Sequence, residues 1–398
     1  MISSHRNDFN SSFTEKKYQA FLKDIEQQVN YKAPFAIAET PVFVPKKLTD
    51  QLLQACDELV DVICRPDFAE LSKGAVLPEY DVPNETPHTD FLSVDFGICE
   101  DENGTLSPQL IEIQGFPSLF FYQEICAAAY HGHFEIPGHL NYLFGGLTSE
   151  GYKEKLQKII LGNSRPENVV MIDIEPETQN TRIDFIATEN ALGIKELCVA
   201  DLKTEGKDVY YFDKNGKKTA VERIYNRVIF DELIKRTDLK REFLFGNEYN
   251  IEWVSHPNWF VRISKHSLPL FDSEFVPDSF YLNQNGLPGD LENYVLKPLF
   301  SFSGQGVILN PTQKDINAIP DKERSNFILQ KKVKYAPIIK TPDGLAKVEI
   351  RMMMAWEKGA ERPEVLTSLV RLSKGDMVGV RYNKGKTWVG GSIGFFEM

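Results

Sequence analysis

Between Val169 and Leu202 the chain changes periodicity twice: an apolar run, VVMIDI, gives way to a helical stretch around Ile183 to Leu192 and then to a second run, ELCVADL. Strand, helix and strand within about 35 residues make a βαβ unit, whose crossover sets two strands parallel and places a helix against the sheet. The fold class is therefore α/β. Around this unit the other elements are read from spacing. Tyr18, Phe21, Leu22, Ile25 and Val29 recur at helical intervals, as do Leu52, Leu53, Cys56, Leu59, Val60 and Ile63 behind Thr49. The runs Asp90 to Ile98 and Leu110 to Ile113 flank the turn-rich CEDENGTLSP and read as strand, loop, strand. Within DVYYFDKNGKKTAVERIYNRV, Asn215-Gly216 gives the clearest hairpin signal in the chain. Pro277 to Asp290 reads as a linker, and NYVLKPLF, GVILNP, NFILQKKV, AKVEIRMMMAW, TSLVRLSKG and DMVGVRYN beyond it predict strands, so the outer lobes have α+β character.

With 398 residues, and about 150 per domain, the chain has room for two or three domains. Its 45 Lys and Arg against 57 Asp and Glu leave a net charge of −12, so no excess positive field draws it to nucleic acid or an anionic membrane, and neither is an expected partner. Cys56, Cys64, Cys99, Cys126 and Cys198 are odd in number, scattered and without a CxxC pair, which argues against a disulfide framework or zinc knuckle and for a reducing compartment. The start, MISSHRNDFN, lacks the apolar core of a signal peptide, and no run approaches the roughly 18 apolar residues of a membrane helix; the expected location is the cytoplasm.

Some motifs can be set aside. Gly390-Gly391-Ser392-Ile393-Gly394 matches a GxSxG elbow, yet only four residues follow, too few for the later acid and histidine. Gly385-Lys386-Thr387 lacks a glycine at P-loop spacing and a following helix. His131, His133 and His139 have no Cys or carboxylate at zinc spacing.

The stretch Asn293 to Leu309 carries more. An apolar strand ends in Lys297-Pro298, a small-residue loop holds Ser301, Ser303, Gly304 and Gly306, and a second strand follows. A strand lysine can neutralise nucleotide phosphates while Gly and Ser let backbone N–H groups close over them; an exposed hairpin with a glycine turn has the same pattern. Downstream, Gln330, Lys331, Lys332 and Val333 sit on a strand that can offer its backbone to an adenine edge, or that is simply an edge guarded by lysines. Upstream, Asp95 lies within one strand, and Glu112 and Gln114, two apart, share a face of the next. Oxygen-only ligands suit Mg²⁺, although salt-bridged carboxylates would read alike.

In this order, VLKP, glycine-rich loop, ILQKKV and an arginine-bearing strand pair, the chain resembles the ATP-grasp ligases, specifically the circularly permuted group of eukaryotic glutathione synthetase and bacterial glutathionylspermidine synthetase. The resemblance runs from about Asp90 to the C-terminus and is strongest in four short motifs. It implies that Glu112 and Gln114 match the family's Glu-x-Asn magnesium pair, Asp95 the preceding acid, Lys297 the phosphate lysine, Ser301 to Gly306 the flap and Gln330 to Val333 the adenine hinge. Arg371 looks like the substrate-facing arginine and Gly390-Gly391 like the glycines of the closing loop. Arg227, Asn258 and Lys265 look polar and functional in relatives, as substrate contacts.

Three departures accompany it. Gln114 stands for the usual Asn, Ser93 for an arginine that would stabilise transition-state charge, and the flap lacks an acidic residue. Arg351 or Arg371 would then supply the missing cation. The resemblance implies ATP-dependent ligation of a small-molecule carboxylate and amine through an acyl phosphate, with ATP and Mg²⁺ as cofactors. A kinase acting on a hydroxyl, or a catalytically reduced ATP-binding or scaffold protein, is the alternative. The expected organisation is N-terminal helices with metal-binding strands over 1–162, a βαβ-type substrate domain over 163–275, a nucleotide-binding lobe with its flap over 276–345 and C-terminal strands over 346–398.

Overall fold

The computed structural model describes residues 1–398 apart from 80, 285, 302–304, 376–377 and 380–381. At the N-terminus, apolar spacing and caps decide where helices run. α1 (Ser3–Ser12) buries Arg6 and Phe9, while α2 (Glu15–Val29) buries Phe21, Ile25 and Val29 behind Thr14, whose hydroxyl accepts from the Lys17 N–H. After β1 (Val42–Val44), α3 (Lys46–Ile63) starts directly behind Pro45, ahead of Thr49. Next come α4 (Phe68–Leu71), β2 (Phe91–Glu100), β3 (Leu106–Gln114), α5 (Phe120–His133) and α6 (Ser149–Leu161).

The βαβ unit is β4 (Val169–Asp173), α7 (Arg182–Leu192) and β5 (Lys195–Cys198), with β4 and β5 parallel. The hairpin follows as β6 (Lys203–Glu205), β7 (Asp208–Phe212) and β8 (Lys218–Val221). Its turn is wider than two residues, because the Asp213 carboxylate accepts from Asn215 N–H and Lys217 N–H while Gly216 takes φ +78°. β9 (Arg223–Asn226), α8 (Phe230–Lys235), β10 (Glu252–Val254) and α9 (Pro257–Arg262) complete this region, and β10, β9, β4 and β5 lie side by side in one parallel sheet. The carboxylate of Asp184 on α7 accepts from the N–H groups of Leu119 and Tyr122 at 2.8 and 2.9 Å. It thereby caps α5, whose own cap residue, Leu119, is bent to φ +77° and supplies no side-chain oxygen.

The segment expected to be a linker contains a strand, β11 (Ser279–Tyr281). It pairs with a later strand because every second residue there faces a small apolar core of Leu282, Tyr294, Leu296 and Leu329. With β12 (Tyr294–Pro298), β13 (Ile308–Leu309), α10 (Gln313–Asn317) and β14 (Phe327–Lys331) it forms a small sheet in the order β11, β14, β12, β13. Of the strand expected over 376–383, residues 376–377 and 380–381 lie outside the described residues, and Val378, Gly379, Tyr382 and Asn383 are bends and a helical turn with no strand pairing.

β15 (Ile339–Thr341), β16 (Gly344–Ala355), β17 (Glu364–Ser373) and β18 (Gly390–Ser392) join β2 and β3 in the central antiparallel sheet, ordered β18, β17, β16, β2, β3, with β15 also on β16. Alternation in EIRMMMA sends Ile350, Met352 and Met354 into a core shared with α3, and leaves Glu349 and Arg351 on the opposite face. β3 bulges at Ile111, since Asp95 opposes Glu112 but Phe96 opposes Leu110. Finally β19 (Gly394–Phe396) runs parallel to β1, Val44 pairing with Phe396. Just before it, Gly390 at φ +128° passes so close to the Ala36 carbonyl that a Cβ would lie 2.3 Å from it, so only glycine fits. Among the described residues, no helix is long and apolar enough to cross a membrane.

Candidate functional site

Two adjacent rows of the central sheet carry charge on one face. Glu112, Asp95 and Arg351 pair across β3, β2 and β16, and the next row holds Gly97, Glu349 and Arg371. Asp95 is fully buried, and Arg351 grips it with two parallel bonds, Nε to Oδ1 at 2.6 Å and Nη2 to Oδ2 at 2.7 Å. Arg371 Nη2 adds a third at 2.5 Å and also contacts Glu349. Tyr335 donates to Glu349 Oε2 at 2.6 Å, and its ring lies on Gly97, where a Cβ would come within 2.9 Å.

Electrostatics follow from this packing. Burial works against ionised Asp95, yet the two guanidiniums hold its carboxyl below the ordinary range. Glu349 moves up, because burial and neighbouring Asp95 outweigh Arg371. The Tyr335 phenol is pushed well above its usual value by burial and by Glu349.

The small sheet reaches this face through Lys297. Its Nζ donates to the Ile111 carbonyl at 3.1 Å, which the bulge in β3 turns outward, and to Gln330 Oε1; the Gln330 amide in turn donates to Leu110 O at 3.2 Å. Burial lowers Lys297 to about 8, with Glu112 opposing and Lys265 adding to the shift. Lys265, nearly buried, sits 3.5 Å from Glu112 and donates to the Ser301 carbonyl. Four cations, Arg351, Arg371, Lys297 and Lys265, thus face four carboxylates, Asp95, Glu112, Glu349 and the Asp231 that lines the adjoining space. The adjoining space, walled by Glu112, Gln114, Lys265, Phe230, Phe260 and Phe300, is only about 20 Å³, enough for about one water.

Of the residues singled out by sequence, the structure brings together Asp95, Glu112, Gln114, Lys265, Lys297, Gln330, Arg351 and Arg371. Gln114 stands opposite Ser93, whose buried hydroxyl has no hydrogen-bond partner among the described residues. Ser301 and Gly306 flank the same strand: the Ser301 hydroxyl donates to Pro298 O at 3.2 Å, and Gly306, at φ +71°, folds over the Pro298 ring. Ser303 and Gly304 lie outside the described residues. Val333 packs beside Tyr335 over Gly97. Lys331 instead pairs with Asp278 at the surface, and Lys332 with Glu292 O and Asn310.

Of the other expected substrate positions, Gly391 pairs with Arg371 at the end of the second row, whereas Arg227, Asn258 and Gly390 make contacts of their own. Arg227 donates to Pro117 O at 2.7 Å and rests on the Phe116 ring. Asn258 pins the 81–85 segment through Asp81, Val82 and Glu85. Gly390 and Gly391 form the seam with Ala36. Glu349 and Tyr335 escaped sequence reading; the alternation that puts Glu349 on the face of Arg351 was the available signal.

No protein-family model and no curated protein sequence matches the chain. Among solved structures it is similar to a glutathione synthetase-like effector from Globodera pallida in its apo form. The TM-score is 0.56 at 10% identity, over 97% of this chain and 98% of that one. At that identity the likeness is one of fold: the chain has a mixed α/β, glutathione synthetase-like fold along its whole length.

Proposed function

We propose that a protein with this fold and this charged face is an ATP-dependent carboxylate–amine ligase of the circularly permuted ATP-grasp kind, working in the cytoplasm on small molecules. The observation that carries the reading is the meeting of two lysines at β3 where the small sheet meets the central one, Lys297 on the Ile111 carbonyl and Lys265 beside Glu112. In this reading residues 276–345 hold the nucleotide, 163–275 contribute to the substrate side, and strands from 1–162 and 346–398 form the floor.

The donor set fits magnesium in part. Glu112 and Gln114 present two oxygens from one face of β3, whereas both Asp95 oxygens are engaged by guanidiniums. These two residues would hold the ion, which when bound supplies charge neutralisation for the phosphates. Lys297 and Lys265 then counter the negative charge of the transferred phosphoryl group. In the reaction a substrate carboxylate oxygen takes the γ-phosphoryl group and ADP leaves. An amine nitrogen then attacks the acyl carbon, loses a proton and expels phosphate. Arg371, with Asp95 and Glu349 setting its plane, orients the carboxylate, and Phe230, Phe260 and Phe300 keep water from the acyl phosphate.

The test is phosphate release from ATP and Mg²⁺ across amino acids, peptides and polyamines, with ADP and an amide formed in equal amounts. ATP cleavage in no mixture, with ATP still bound, would replace the ligase by a second reading, a catalytically reduced nucleotide-binding protein. Two observations favour that rival: Ser93 brings no cation to the face, and the site is filled by its own side chains.

A further inference from the structure

A larger space lies apart from that face, and none of the sequence-derived candidates lines it. It is a cleft of about 820 Å³ between the 83–90 segment, the end of α6, the 247–253 segment and the turn joining β16 to β17. Small-molecule sites typically measure about 300–1,000 Å³. Ile159, Ile251, Tyr249 and Trp253 give it apolar walls. His88 adds a flat one: its ring stacks on Trp356 at 4.3 Å and 11°, and burial favours its neutral form.

The ionic groups around the cleft are mostly satisfied. Lys158 pairs with Glu357, Arg223 with Glu252, and Glu248 with Lys207. Among the described residues Asp90, Lys358 and Glu361 have no ion pair, and of these only Asp90 is partly buried. Its main chain is fixed at both ends, the N–H by Ser255 Oγ at 3.2 Å and the carbonyl by Trp356 N–H at 2.8 Å. The carboxylate itself accepts no hydrogen bond from another side chain among the described residues. Burial, helped by Glu252 and opposed by Arg223 and Lys358, pushes it up to about 7. A rigidly placed carboxylate without a direct ion pair, at the edge of aromatic walls, favours a ligand that brings a positive charge into contact with it.

We infer that this cleft binds an organic cation, a primary ammonium group carried on a flat apolar body, with Asp90 as its counter-ion. The ammonium meets Asp90 while the ring lies along Trp253 and the His88 face. Nothing in this depends on ligase activity.

The probe is phenethylamine, with 2-phenylethanol as its neutral counterpart, titrated into the full chain at pH 8 and followed by calorimetry and Trp fluorescence. The amine is expected to bind saturably at one site and at least tenfold more tightly than the alcohol. Asp90→Asn should cost tenfold or more for the amine and leave the alcohol unchanged. Ala360→Trp, at the exposed turn lining the cleft, should block the amine while leaving Asp90 in place, and decides the matter if Asp90→Asn does not fold. Equal binding of amine and alcohol, no saturable amine signal, or wild-type affinity in the variants overturns the inference.

Discussion

The charged face of the central sheet and the cleft beside Asp90 are made of the same materials, carboxylates, arginines and aromatic rings, but one is closed upon itself and the other is not. On the sheet, Asp95 is held by two guanidiniums and Lys297 by Gln330 and a carbonyl, and the remaining space takes about one water. In the cleft the neighbouring charges pair with one another and leave Asp90 without a partner beside about 820 Å³ of space. Burial of a charge is stabilising only when its partner is buried with it. The contrast therefore separates an acid that holds the fold together from one that works against it.

The largest expected effect breaks the closed side. Asp95→Asn leaves Arg351 and Arg371 facing a neutral amide and should cost about 3–5 kcal/mol in denaturant unfolding, the range for a buried pair that loses one partner. A loss under about 1 kcal/mol would mean that the network is looser than its geometry. Next, Lys297→Ala should weaken ATP binding by about 1.5–3 kcal/mol, the worth of a charge-assisted hydrogen bond. Calorimetry giving equal affinity would remove Lys297 from the nucleotide site.

Asp90→Asn should act in the opposite sense to Asp95→Asn. The folded carboxyl, at about 7, lies above its ordinary value, so between about pH 4 and 7 the folded state keeps a proton that the unfolded state has lost. Stability from this group is present at pH 4 and lost as pH rises through 7. The variant should accordingly be about 1–2 kcal/mol more stable than wild type at pH 8, less than the roughly 4 kcal/mol of the full rise to about 7 because the side chain is only partly buried, and the gain shrinks toward pH 4. A lower melting temperature at pH 8 would show Asp90 to have a hidden partner.

The smallest effect concerns Lys297 as a titrating group. Lowered to about 8, it is neutral above that pH in the free protein, so ATP binding there must take up a proton and should weaken as pH rises from 8 to 9. Lys297→Arg, always charged, should flatten that slope. A slope identical in both proteins would assign the pH dependence to another group.

How legible was this in the sequence? Elements with strong local signals were. Alternation and helical spacing over 169–198 yield the parallel strands and α7, and Asn215-Gly216 marks the hairpin turn, although Asp213 widens it. The apolar and polar residues of β16 could be sorted by counting in twos. What escaped was set by contacts distant in sequence. β11 has only three residues and a composition typical of loops, and it is a strand because β14 lies beside it. The Ile111 bulge, which presents a carbonyl to Lys297, leaves no mark in LIEIQ, and Asn258 reads equally well as a ligand or as the pin of a loop. Asp95 was visible as an acid in a strand, but its two arginines come from strands more than 250 positions later, in an order that only the sheet reveals.

The parallel pairing of β1 with β19 sets a timetable. Among the described residues, 36–44 find their sheet neighbours only in residues 390–396, so during synthesis this segment must wait until those residues have been made. At about 5–20 residues per second, that delay is roughly 20 to 70 s. For that time Val42, Phe43 and Val44, all destined for the core, have an unpaired edge to offer to whatever is near. A chain growing on the ribosome would thus keep residues 42–44 open to aggregation, and in need of a chaperone, until residues 390–396 emerge, and a fusion that hindered residues 390–396 would prolong that exposure.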